Sequence, residues 1–428
     1  MILVKVNVKD EGKCYKRLKI ELSKNILETA FENYYLDLKK KTVLPGFRKG
    51  KVPREIIEEH FSSQANEEVL SKVINDGYQE ALKKENIFAL ALPKIENINL
   101  QENDNLFFDV VVEVRPVFGL KKYKGLKLEK KLIEISEQEI DAVILDTQKR
   151  HAEFIPVQRT VQVRDLIICD VSFSAAGKVI EKKENYSLFV STEMLMPGFA
   201  ENIIGMAVNE KKEFSMLLPE KFNLQDIAGK NAVFNIFVKE IKEEKLPEIN
   251  DEFARILGEK SLKEFKTRIK DSLAEGKEAA VKKELKNQIC KHLLKAMPID
   301  VPGSMLIETE KKLKDNLARN LKQKGYDDQK IEQELQKSQA NIQQSALNDL
   351  RIFFILNEIG NQEKIEVSQD EIKAKVADIA YFSKMKEKDV WKRLENKDRM
   401  DQLSSDIIIE KTIDFVLKNA EISEVGNK

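Results

Sequence analysis

Cysteine, aromatic residues, net charge and long apolar runs are all scarce in this sequence, and each scarcity removes a class of function. Cys14, Cys169 and Cys290 stand far apart, are odd in number and include no CxxC pair. They exclude a disulfide framework and a cysteine zinc site, and a reducing cytoplasm is the natural home. Cys290 and His292 lie two apart, on different faces of a helix, so both read as structural. Lysine plus arginine equals aspartate plus glutamate at 73 each, so no global charge draws the chain to nucleic acid or to a membrane. Electrostatic docking, if it occurs, must be local. Met1 to Val8 alternate apolar residues with Lys5 and Asn7 and offer no cleavage site, so they do not read as a signal peptide. No window is long and apolar enough to span a bilayer. A GxxxxGK[ST] loop is absent, as is any repeat of fixed period. Neither a nucleotide nor another cofactor or metal is expected.

What is present is charge, at 34% of residues against 7% aromatics, which points to long, solvent-rich helices rather than one dense globule. A length of 428 residues suggests two to four domains. One stretch stands out, Val43 to Pro53. No acidic residue falls between Lys39 and Arg54, while Lys39, Lys40, Lys41, Arg48, Lys49, Lys51 and Arg54 all do. Pro45-Gly46 and Gly50 punctuate it as a loop between two helices, and Pro53 suits the first position of the second helix. Phe47 sits at its centre. On composition this is either a solvated charge run in a turn or a docking tip for an anionic or mixed surface, such as folded RNA with its proteins.

Gly46-Phe47-Arg48-Lys49-Gly50-Lys51-Val52-Pro53 resembles the ribosome-docking signature of the trigger factor family, bacterial chaperones that meet nascent chains at the tunnel exit. The resemblance extends more weakly over nearly the whole chain. It implies that Gly46, Phe47, Arg48, Lys49, Gly50 and Lys51 bind the ribosome, with Phe47, Arg48 and Lys49 touching a ribosomal protein and rRNA. It also implies unfolded nascent polypeptides as partners, no membrane, and a homodimer when off the ribosome.

The expected fold class is an α+β multidomain protein. Residues 1–113 read as an α+β ribosome-docking domain, with Val4, Val6 and Val8 alternating in a first strand and Phe108, Val110 and Val112 alternating with Asp109 and Glu113 in a last one. Ile56, Ile57 and Phe61 mark one helix after the loop, and Val69 to Leu82 a further run. Residues 114–150 read as a connector whose helix starts at the capping-box pair Ser136 and Glu139. Residues 151–244 turn to short β pieces, 166–171, 212–219 and 233–238, around one short helix after Pro197-Gly198. That order resembles the FKBP-type peptidyl-prolyl isomerase half-barrel. Residues 245–428 read as an elongated all-α chaperone domain, including one long helix from about Asp327 to Ile359 and a second capping box at Ser368 and Glu371.

Isomerising an X-Pro bond needs no nucleophile, because the barrier is the partial double bond of the imide. An apolar cleft suffices, by taking the imide out of water. By order and spacing the FKBP resemblance places Tyr186, Leu195, Met196, Phe199, Phe222 and Phe234 in that cleft. Val171 and Ile180 stand where the family carries aromatics, which implies weakened turnover. The same aromatics also fit an ordinary core. Three readings remain at this point: a ribosome-associated, ATP-independent chaperone with isomerase activity, a stand-alone isomerase with substrate-recruiting helical arms, and an RNA-binding protein using the basic loop.

Overall fold

The first sheet forms where apolar residues alternate. The computed structural model describes residues 4–45, 47–48, 50–100, 105–175, 178–191, 198–219 and 227–426. The chain divides into two compact units, residues 1–131 with 282–428, and residues 132–281. In the first, β1 (Val4–Gly12) and β2 (Tyr15–Leu22) form a hairpin, followed by α1 (Lys24–Lys41) and α2 (Arg54–Lys84). Then β3 (Lys94–Leu100) and β4 (Leu106–Glu113) complete an antiparallel sheet of order β1-β2-β4-β3. Leu18, Ile20 and Leu22 face Val110, Phe108 and Leu106 across the β2–β4 pair, and all six are at most 1% exposed. Each such side chain contributes about 1.5–3 kcal/mol by leaving water. Val69, Val73, Tyr78 and Ala81 of α2 join the same core. The run expected as a separate helix there is instead the continuation of one unbroken helix from the loop. Glu113, expected to alternate outward on β4, is only 5% exposed. The next strand, β5 (Lys127–Lys131), also belongs to this unit.

The second unit begins with α3 (Glu137–Arg150), whose capping box forms as its sequence predicts. The Glu139 amide donates to Ser136 Oγ at 3.3 Å, and the Ser136 amide donates to the Glu139 carboxylate at 3.0 Å. Next come β6 (Glu153–Pro156), β7 (Leu166–Ala175), β8 (Lys178–Phe189), α4 (Phe199–Ile203), β9 (Lys211–Leu217) and β10 (Asn231–Lys245). They curl into an antiparallel half-barrel about α4. Strand β10 is its spine, with β7 along one edge and β9 then β6 along the other. Bulges at Val238/Glu240 and at Cys169/Val171 bend the two central strands and explain the curl. Strand β8 was not foreseen, because its Glu181-Lys182-Lys183-Glu184 run faces water at a sheet edge and carries no apolar alternation. Helix α5 (Asp251–Ile256) and the first part of α6 (Leu262–Ala296) bring Phe253, Phe265 and Ile269 onto Ile140 and Ile144 of α3.

The first unit resumes along α6 and continues through α7 (Gly303–Gln323), α8 (Asp328–Lys337), α9 (Gln339–Gln362), α10 (Gln369–Ser383), α11 (Glu387–Leu394) and α12 (Lys397–Lys418). The long helix expected over 327–359 is two helices meeting at Ser338, which ends α8 and starts α9. The expectation of an all-helical segment after 247 also fails at its end. Strand β11 (Glu421–Val425) pairs in parallel with β5, Ile422 opposite Leu128. No described helix is long and apolar enough to cross a membrane.

Helices α9 and α12 approach closely at Gly360, where an added Cβ would lie 2.9 Å from both Ile408 Cγ2 and Thr412 Oγ1. Gly360→Ala is therefore expected to lower stability by about 1–3 kcal/mol, outweighing the ~1 kcal/mol that alanine gains over glycine in a helix. Thermal unfolding measures this, and an unchanged or raised midpoint would mean that the two helices part without penalty.

Candidate functional site

The loop between α1 and α2 is built from both ends. Lys39, Lys40 and Lys41 occupy the last turn of α1, where positive charge complements the carbonyl end of the helix dipole. Thr42 leaves the helix in an extended conformation, its amide donating to Leu38 O at 2.8 Å. Two tight turns follow, Phe47 N to Leu44 O at 3.1 Å and Lys51 N to Arg48 O at 2.9 Å. Gly50 closes the second with φ +81°, a conformation that a side chain would strain. Val52 is fully buried and anchors the loop beneath its tip. Pro53 stands at the N-cap of α2, one position before the expected one, and the physical reason is unchanged, since its missing N–H leaves nothing unsatisfied.

The charge at this tip is sparser than the sequence suggests. Arg54 donates to Glu32 and to Glu58, both at 2.6 Å, and lies over the Tyr35 ring at 5.9 Å. These two carboxylates, Glu58 first, raise its pKa further, so it is a fixed structural cation. Lys40 pairs with Asp37 at 3.1 Å. Arg48 and Lys51 have no ion-pair partner among the described residues and are exposed, beside a Phe47 that is 36% exposed. The tip thus presents an aromatic ring beside cations that have no ion-pair partner among the described residues, at the end of a helical hairpin. Gly46 and Lys49 lie outside the described residues.

In the half-barrel, Phe199 of α4 and Phe234 of β10 come together, ring centroids 5.2 Å apart and nearly perpendicular. Phe214 of β9 stacks on Phe234 at 5.6 Å, and Phe173 of β7 on its other side at 5.3 Å. Sequence reasoning had assigned neither of these two rings to the site. Phe199 is 3% and Phe234 2% exposed, so both sit inside this aromatic stack rather than on an open surface. Val171 and Ile180 pack against the same core. Tyr186 is set apart from the stack, 39% exposed on edge strand β8 with Lys183 Nζ 5.0 Å from its ring centroid. It pairs across with Cys169, whose thiol burial pushes up to about 11, well out of nucleophile range at neutral pH. Leu195, Met196 and Phe222 fall outside the described residues.

A third feature is apolar surface left uncovered on the helices. On α7, Leu306, Leu313, Leu317 and Leu321 recur at helical spacing, yet no residue of this helix is fully buried. At the end of α10, Tyr381 and Phe382 are 80% and 82% exposed and stack edge to face at 5.4 Å. Reading along the chain missed this pair. The signal was there: Ile372, Val376 and Ala380 define the buried stripe of α10, and the two aromatics fall off it.

A basic aromatic tip, a curled sheet about one short helix, and helices with half-covered apolar stripes define a multidomain folding factor of the chaperone class. The family model described as bacterial trigger factor protein matches residues 4–146, and that of its C-terminus matches residues 261–418. The chain belongs to the trigger factor family. It is 30% identical over 418 residues to the trigger factor of Halothermothrix orenii, covering 94% of this chain and 96% of that one. To the trigger factor of Caldicellulosiruptor saccharolyticus it is 28% identical, covering 98% and 97%. A solved structure described as "Promiscuous Substrate Recognition in Folding and Assembly Activities of the Trigger Factor Chaperone" shares the fold at TM-score 0.60, with 18% identity over 97% of this chain and 99% of that one.

Proposed function

We propose that this protein docks on the ribosome through the loop of residues 46–53 and shields newly made polypeptides without nucleotide. The observation that carries this reading is the loop tip, where a partly exposed Phe47 sits beside an exposed Arg48 on a hairpin pinned by buried Val52. A cation with no ion-pair partner among the described residues, beside a partly exposed ring, suits a surface of rRNA with a neighbouring protein. The partly covered stripe of α7 suits weak capture of many sequences, because apolar burial at roughly 25 cal/mol per Å² is non-directional. Release then needs no fuel, only competition from the client's own folding. The division of labour we assign is docking by 1–113, connection by 114–150, isomerase-like contact by 151–244 and substrate binding by 245–428. A cytoplasmic location and a homodimer off the ribosome belong to the same reading.

Isomerase activity of the half-barrel is the second part of the proposal, with turnover weakened by Val171 and Ile180. A stand-alone isomerase has less support, since Phe199 and Phe234 are enclosed by other rings and leave Tyr186 as the accessible aromatic of the described set. The test has two arms. The purified chain is expected to pellet with ribosomes, more weakly as salt rises. It is also expected to suppress aggregation of a chemically unfolded protein in the absence of ATP. Failure to pellet at low salt would overturn the docking assignment, and failure to hold unfolded protein would overturn the chaperone one.

A further inference from the structure

Glu113 ends β4 and is nearly buried, yet no lysine or arginine pairs with it among the described residues. A buried carboxylate must find donors elsewhere or give up its charge. It finds them at the start of α7. The Ser304 amide donates to Glu113 Oε1 at 3.1 Å and lies 3.3 Å from Oε2, and the Tyr15 hydroxyl bonds to the same carboxylate. Helix α7 lacks a cap of its own. Its N-cap is Pro302, without a capping side chain, and its first turn holds no acidic residue. By contrast α3, α5, α8 and α10 are each capped by their own Ser136, Asn250, Asp327 and Ser368. Glu113 thus meets one of the orphan amides of α7 and opposes the positive end of its dipole.

The setting gives this contact weight. Among the described residues, no strand or helix of 4–113 packs extensively on a helix of the bundle, and a cleft of about 420 Å³ opens beside the joint, lined by Asp10, Cys14, Tyr15, Val114, Pro298 and Asp300. Glu113 itself is held firmly, paired with Tyr15 across the sheet and accepting from the Leu90 amide at 2.8 Å through its carbonyl. Gly303 fits the joint closely, since a Cβ there would lie 3.0 Å from the Tyr15 hydroxyl.

We propose that Glu113 is the N-terminal cap of α7 supplied from strand β4, a positioning residue that fixes the start of the client-facing helix to the docking domain. Its bearing on function rests on the chaperone reading above; the cap itself does not. Amide hydrogen exchange of the full chain, with neither ribosome nor client present, therefore tests it separately. Glu113→Ala is expected to speed exchange across residues 303–306 by about 10-fold, with Glu113→Gln in between because it keeps an acceptor oxygen but loses the charge. The first turn of α10, which carries its own box, is the internal control and is expected not to change. Adding Pro302→Asp to Glu113→Ala supplies a cap in cis and is expected to restore protection. Unaltered exchange in both single variants would overturn the proposal. So would equal acceleration at α10, or a double variant that stays unprotected. Should Glu113→Ala not fold, the isosteric Glu113→Gln still decides the matter by the same comparison of α7 with α10.

Discussion

Replacing Phe47 and Arg48 together by alanine is expected to weaken ribosome co-sedimentation on the order of 100-fold, while suppression of aggregation stays at the wild-type level. The size follows from the small number of groups that can make the contact. Lys40 and Arg54 are tied to carboxylates, Lys39 and Lys41 share the last turn of α1 with Lys40, and the exposed tip is left with Phe47 and its neighbouring cations. A buried ring in a partner pocket and a desolvated guanidinium are the two kinds of residue that dominate interfaces. The fold has a small stake in them, since Arg48 is exposed and Phe47 is 36% exposed, and the stability change is expected to stay within about 1 kcal/mol. Pelleting of the variant beside wild type at two salt concentrations makes the measurement. Equal pelleting of the two proteins would end the assignment of docking to this loop.

Phe199→Ala carries the other large effect, and it is an effect on stability. The ring touches Phe214 at 5.4 Å and Phe234 at 5.2 Å, and almost none of it reaches solvent. Emptying such a site removes the transfer energy of the ring and leaves a cavity, together about 3–5 kcal/mol. Residues 132–281 form their own compact unit, so its melting is expected to shift alone, with the transition of the other unit in place. Calorimetry on the full chain resolves this. A loss of isomerase turnover in this variant would report unfolding rather than chemistry. The informative substitution for chemistry is Tyr186→Ala, because its partly exposed edge position lets the sheet persist. A Phe199→Ala protein that melts like wild type would show that the four-ring stack does not hold the half-barrel together.

Much of this was legible in the sequence because the signals are local. The capping boxes at Ser136 and Ser368 are two-residue motifs whose partners are three positions away, and both form. The loop between helices is likewise local punctuation by proline and glycine. The identities of Phe199 and Phe234 were also legible, but not their situation, since a ring lining a cleft and a ring filling a core are the same letter. What separates the two is the position of Phe173 and Phe214, brought in by strands β7 and β9. Glu113 escaped for a similar reason. Alternation puts it on the wet face of β4, and only a helix start 190 residues later makes that place dry. Charge runs misled twice, keeping β8 out of the expected strands and counting Arg54 with the cations of the tip. Gly46, Lys49, Leu195, Met196 and Phe222 lie outside the described residues.

The parallel pairing of β11 with β5 has a temporal meaning. A chain made from its first residue onward has β5 in hand early but must wait for residues 421–425 before that strand finds its mate. Parallel contacts between such distant segments form slowly, because loop closure must precede any gain from them. Until then Leu128, which ends fully enclosed, is left wet. Its own synthesis therefore includes an interval in which the β1-β2-β4-β3 sheet is complete and the segment carrying β5 still waits for its clasp.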